Sequence, residues 1–127
     1  AGIIPSEIEL SKSPQGHGYV EAEVTGYNSF FPEGYHFRGH EFHYSRLTNK
    51  TKHHFALAML RGQGINGAED GIVYKNMFAS YTHIHARCTP EWALSFVTLA
   101  GRQKQDNCRS DQNHMQRRYH GSNMSGL

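Results

Sequence analysis

The sequence predicts a strand-rich chain with one late helix, and three observations carry the prediction. Tyr19 to Val24 alternates apolar and polar side chains, Phe37 to Leu47 alternates again, and Thr89-Pro90-Glu91 opens a helical pattern. Alternation with period two marks a half-buried strand, because successive Cβ atoms point to opposite faces. The pattern suits either an independent β domain or the second half of a larger α/β domain whose parallel strands lie upstream. At 127 residues the chain holds one domain and one hydrophobic core.

Taken in order, the turn Gly16-His17-Gly18 leads into a first strand with Val20, Ala22 and Val24 on one face and Tyr19, Glu21 and Glu23 on the other. Tyr27 to Gly34 reads as a loop, since Pro32 and Gly34 stop a ladder. In the second strand, Phe37 to Leu47, parity groups Glu41, His43 and Ser45 on one face and His40, Phe42 and Tyr44 on the other. Thr48 to His54 is a polar connector, and Phe55 to Leu60 is an apolar run that fits a buried strand or a helical turn. Gly62, Gly64 and Gly67 mark a turn-rich connection. Gly71 to Tyr74 and Met77 to His85 read as two strands, or as one broken near Lys75-Asn76. The helix then has a capping hydroxyl at Thr89, proline at its first position and an acid in its first turn. Trp92, Phe96 and Leu99 recur at helical spacing up to Gly101.

Charge divides the chain. Residues 1–100 carry 8 Lys/Arg against 9 Asp/Glu, and residues 101–127 carry 5 against 2, so the net charge of +2 originates in the last segment. With 37% hydrophobic residues and a mean hydropathy of -0.68, part of the chain is expected to stay unpacked. Residues 1–100 are therefore read as the ordered portion and 101–127 as a disordered, solvated basic tail, with no nucleic-acid partner expected. Cys88 and Cys108 make no disulfide framework, and no targeting peptide or bilayer-length apolar run is present, so a reduced cytoplasmic protein is expected. The start at Ala1-Gly2-Ile3-Ile4-Pro5, without methionine, is compatible with a piece of something longer.

The candidate chemistry lies in Arg38-Gly39-His40-Glu41-Phe42-His43-Tyr44-Ser45 and Tyr81-Thr82-His83-Ile84-His85. Imidazole beside carboxylate suits proton transfer near neutral pH, or metal capture. His83 and His85 share a strand face with Cβ atoms roughly 6 to 7 Å apart. Spacing alone favours two histidines satisfied by backbone carbonyls. A metal would need His40, His43 or Glu41 as well, and no established metal spacing joins the two segments, so no metal is expected. Cys88 lies before a helix N-terminus, which lowers a thiol pKa, but it lacks the glycine-flanked turn that exposes a nucleophile and is read as structural, as is Cys108. The residues thus offer a base without a nucleophile.

From residue 16 to about 93 the chain resembles the C-terminal part of the cobyrinate a,c-diamide synthase family. The blocks Gly16-His17-Gly18-Tyr19-Val20-Glu21-Ala22-Glu23-Val24 and Asn28-Ser29-Phe30-Phe31-Pro32-Glu33-Gly34 carry the likeness. So do Arg38 to Ser45, Asp70-Gly71-Ile72-Val73-Tyr74, Ala79-Ser80-Tyr81-Thr82-His83-Ile84-His85 and Pro90-Glu91-Trp92. The resemblance implies a class I glutamine amidotransferase-like α/β fold, of which this chain covers the strand-rich C-terminal half. It implies an enzyme that uses ATP and magnesium to activate acetate side chains of a corrinoid, or of a sirohaem-like tetrapyrrole, and glutamine as the source of ammonia. The nucleophilic cysteine and the synthetase domain are expected upstream, so this chain alone is expected to be inactive and to hold no cofactor. His83 takes the place of the family's catalytic histidine, Glu41 is expected to orient it, and His85 is the alternative support. His40 and His43 are expected to be structural. The competing reading is a non-enzymatic metal- or tetrapyrrole-binding module.

Overall fold

The computed structural model describes residues 2–48 and 52–121, the last eleven of them as backbone only. Asn49 to Thr51 of the polar connector and the final six residues of the basic tail lie outside the described residues. The elements are β1 (Ile8–Leu10), β2 (Gly16–Val24), β3 (His36–His43), β4 (Ser45–Leu47), β5 (His54–Arg61), β6 (Glu69–Tyr74), β7 (Met77–Ala79) and α1 (Pro90–Gly121). Five strands form an antiparallel sheet in the order β3-β2-β5-β6-β7, and β1 pairs with β4 in a separate two-stranded sheet.

Strand alternation decides which side of the sheet is inside. Val20, Ala22 and Val24 of β2 are buried, as are Phe37 and Glu41 of β3, while Arg38, His40 and Phe42 face outward. The apolar run after His54 forms β5, with consecutive Ala56 and Leu57 both buried, as a strand covered on both faces requires. The core is Ala22, Val24, Phe31, Phe37 and Leu57, against which Phe30, Tyr35, Met59, Phe78, Ile84 and Trp92 pack. Asn28 shapes the loop that delivers two of these rings: its side-chain oxygen accepts the N–H groups of Phe30 (2.9 Å) and Phe31 (2.8 Å).

Five expectations need correction. The strand expected over Phe37–Leu47 breaks at Tyr44, where the chain leaves the large sheet to pair with β1, a three-residue strand too short to show a period. Gly16 to Gly18, expected as a turn, already belongs to β2. Only Met77–Ala79 of the Met77–His85 segment is strand; the amides of Tyr81 and Thr82 donate to the Asp70 carboxylate and so leave the ladder. Finally α1, expected to stop at Gly101, runs to Gly121 through the segment read as disordered. Its first turns pack Phe96 on Phe30 and Trp92 against the core, whereas residues 101–110 are exposed on every side. The Thr89 hydroxyl, expected to cap this helix, is buried without a partner among the described residues.

Candidate active site

His83 is held by its backbone and displayed by its side chain. The His83 N–H donates to the His40 carbonyl (2.8 Å), and the His40 N–H donates to the His83 carbonyl (3.0 Å), forming an isolated antiparallel bridge on the outer edge of β3. Gly39 permits this approach, because a Cβ built there would overlap the His83 carbonyl oxygen and lie 2.9 Å from Thr82 Cγ2. The two imidazoles stack with centroids 5.0 Å apart and planes 18° from parallel. The His83 side chain is exposed, not packed inside. It lines a cleft of about 510 Å³ together with Tyr19, Arg38, His40, Arg61, His85 and Cys88. Its charged residues are Arg38, Arg61 and Glu21, and Arg38 pairs with Glu21 at 3.0 Å.

A second anchor holds the preceding residues. Asp70 of β6 is fully buried, and its carboxylate accepts from Gly71 N–H (2.8 Å), Tyr81 N–H (3.1 Å), Thr82 N–H (2.9 Å) and Thr82 O–H (2.7 Å). Adjacent residues Thr82 and His83 are therefore tied to β6 and β3, which β5 and β2 separate in the sheet order. The sheet must curl to bring those strands within one residue's reach of each other.

Glu41 and His83 are not brought together. Glu41 points to the opposite face from His40, is 2% exposed, and accepts Gln63 N–H (2.7 Å) and Gly64 N–H (2.9 Å). It anchors the connection between β5 and β6 and does not orient the His83 ring, which corrects that expectation: strand parity separates residues 40 and 41. His43 shares the Glu41 face. Its Nδ1–H donates to the Ser45 carbonyl (2.9 Å), its ring stacks on Tyr81 at 3.8 Å, and its buried Nε2 lies 3.6 Å from Glu41 Oε2 without a hydrogen-bond partner among the described residues. The Tyr81 and Ser45 hydroxyls meet at 2.7 Å, so the stack secures the base of the His83 segment.

His85 serves the turn into α1. Its carbonyl accepts the N–H groups of Cys88 (2.9 Å) and Thr89 (3.1 Å), and its Nδ1 accepts that of Arg87 (3.2 Å). Cys88, read as structural, is exposed on the cleft wall. Among the described residues no three His, Cys, Asp or Glu side chains converge as a metal cluster. The resolved pKa shifts lie outside this cleft: the Tyr35 hydroxyl donates to Glu91 Oε2 (2.6 Å), raising the phenol above its usual range and holding the carboxyl below its own. Sequence reasoning missed Asp70 as part of the site; Asp-Gly reads as a turn, and nothing local signals that its carboxylate is buried.

The antiparallel sheet thus presents an exposed histidine, its backbone paired with β3, on the wall of a cleft. The chain belongs to the CobB/CobQ-like glutamine amidotransferase domain family, whose model matches residues 1–90. It is 44% identical over 94 residues to the cobyrinate a,c-diamide synthase of Magnetococcus marinus, covering 73% of this chain and 20% of that protein. It is 43% identical over 99 residues to the cobyrinate a,c-diamide synthase of Methanothermobacter thermautotrophicus, covering 78% and 22%. With that of Methanocaldococcus jannaschii it shares 38% over 98 residues, covering 77% and 22%. The chain spans about a fifth of the length of these curated relatives. No solved structure matches it.

Proposed function

We propose that this chain is the histidine-bearing part of the glutaminase domain of a cobyrinate a,c-diamide synthase, with a class I-like fold completed by residues outside these 127. The observation that carries the reading is the placement of His83, whose backbone pairs with His40 while its ring opens into the cleft. The family membership and the relatives' names supply the chemistry that such a base would serve.

In this reading His83 takes the proton from a cysteine thiol supplied outside this segment. The thiolate attacks the side-chain carboxamide carbon of glutamine, and the C–N bond breaks as His83 returns the proton to departing ammonia. His83 then removes a proton from water, which attacks the thioester and releases glutamate and the thiol. The ammonia goes to acetate side chains of a corrinoid, or of a sirohaem-like tetrapyrrole. Their activation with ATP and magnesium belongs elsewhere in the enzyme, because the described residues do not fit that role. The one described helix begins at Pro90 without a glycine-rich phosphate turn, and no carboxylate cluster is available for magnesium. No described helix is long and apolar enough to cross a membrane.

The test is the His83→Asn variant of the enzyme that carries this segment. Glutamine-dependent amidation should fall by at least about 100-fold, within the usual contribution of a general base, while activity with free ammonia persists. Equal loss with both nitrogen sources, or no loss, removes the proposal. The 127-residue chain alone should release no ammonia from glutamine.

A further inference from the structure

We infer that Asp70 is a positioning residue for the His83 imidazole, acting through the backbone of residues 81 to 83; the inference rests on the proposed role of His83. Asp70 is fully buried on β6 and makes no salt bridge among the described residues. A carboxyl group in that position needs hydrogen-bond donors to replace the water it has lost. Its two oxygens offer about four lone-pair sites, and four donors occupy them here. Three of those donors belong to Tyr81 and Thr82, the two residues immediately before His83.

The remaining tether is weak by construction. His83 pairs with His40 through one isolated bridge, not a ladder, so no neighbouring strand residues reinforce it. The β7 ladder ended at Ala79, and His85 has already turned toward α1. Between these points Asp70 grips the backbone from the sheet interior, while the His43 stack and the Ser45 hydroxyl hold only the Tyr81 side chain. A catalytic base must be held to within roughly 0.5 Å of its productive place, and a misplacement of about 1 Å can cost about 100-fold in rate. Asp70 therefore sets the position of an imidazole that it never touches.

Asp70→Asn isolates this effect, because the shape is preserved while one acceptor oxygen becomes an NH2 donor. The amide turns its nitrogen toward Thr82, whose hydroxyl can rotate to accept, but the Thr82 N–H then faces a donor. In the enzyme carrying this segment, kcat with glutamine should fall about 10- to 100-fold with the KM for glutamine within about two-fold. Activity with free ammonia, which bypasses His83, should persist. In the 127-residue chain, hydrogen exchange at the His40 and His83 amides should accelerate while the Ala22 and Leu57 amides stay protected. If Asp70→Asn does not fold, Thr82→Val removes the hydroxyl donor alone and should produce a smaller change in the same readouts.

The inference is overturned if the folded variant keeps its glutamine kcat, if glutamine- and ammonia-dependent activities fall together, or if the His83 amide remains protected. Full glutamine-dependent activity in His83→Asn would instead sink the functional reading. The exchange measurement would then decide alone whether Asp70 positions this segment.

Discussion

Replacing Gly39 with alanine sets two opposing effects against each other, and the structure says which wins. Gly39 is not among the residues with left-handed backbone, so alanine can adopt its conformation. On chain entropy alone Gly39→Ala would stabilise the protein by about 0.4 to 1 kcal/mol. The new methyl, however, would overlap the His83 carbonyl oxygen and meet Thr82 Cγ2 at 2.9 Å, and the first of these neighbours is backbone. That segment cannot yield by a simple rotamer change, because Asp70 fixes it from the other side. Displacing it breaks the two His40–His83 backbone bonds, worth about 1 kcal/mol each, and leaves overpacking of about 1 to 3 kcal/mol. The sum, less the entropic gain, is a net loss of about 2 to 5 kcal/mol. Urea denaturation of the chain, compared at constant m-value, measures it. A variant as stable as the parent within about 0.5 kcal/mol, or more stable, would refute the close-approach argument and with it the placement of His83 against β3.

Two further outcomes follow from the polar contacts. Glu41→Gln should destabilise the chain by about 1 to 3 kcal/mol in the same denaturation assay, because the introduced NH2 must face the N–H of either Gln63 or Gly64. An unchanged midpoint would mean that this carboxylate does not hold the loop. The Tyr35–Glu91 bond should show two pH limits, since Glu91 is depressed and its contribution is present above the unfolded carboxyl pKa, then lost as pH falls through the folded value. Tyr35 is raised, so its contribution is present below the unfolded phenol pKa and is lost as pH rises through the folded one. Ultraviolet titration, with Tyr35→Phe to identify the signal, should place this phenol above the other tyrosines, and Glu91→Gln should return it toward them.

Local pattern was a good guide wherever one face of a strand is buried and the other is wet. The burial of Val20, Ala22 and Val24, and the separation of Glu41 and His43 from His40 and Phe42, follow from parity alone. The same parity, applied to residues 40 and 83 together, would have argued against Glu41 as the partner of His83; the missing fact was that His83 pairs with His40. The strand Ile8–Leu10 is too short to display a period and forms only because Ser45–Leu47 lies opposite. The apolar spacing of α1 stops at Leu99 and so signals an end near Gly101, yet Gln, Lys and Arg beyond it are good helix formers that need no buried face.

The sequence by itself determined the inward faces of β2 and β3, the start of the late helix and the family, because each rests on neighbouring residues or on whole motifs. Only the tertiary structure decided which groups meet at the candidate site. Asp70 reaches Thr82 twelve positions away, Glu41 reaches Gln63 across twenty-two, and His83 returns to His40. Those meetings depend on how far the sheet curls and on which buried carboxylate intercepts which amide. Such long-range choices minimise unpaired polar groups over the whole fold, and no local period encodes them.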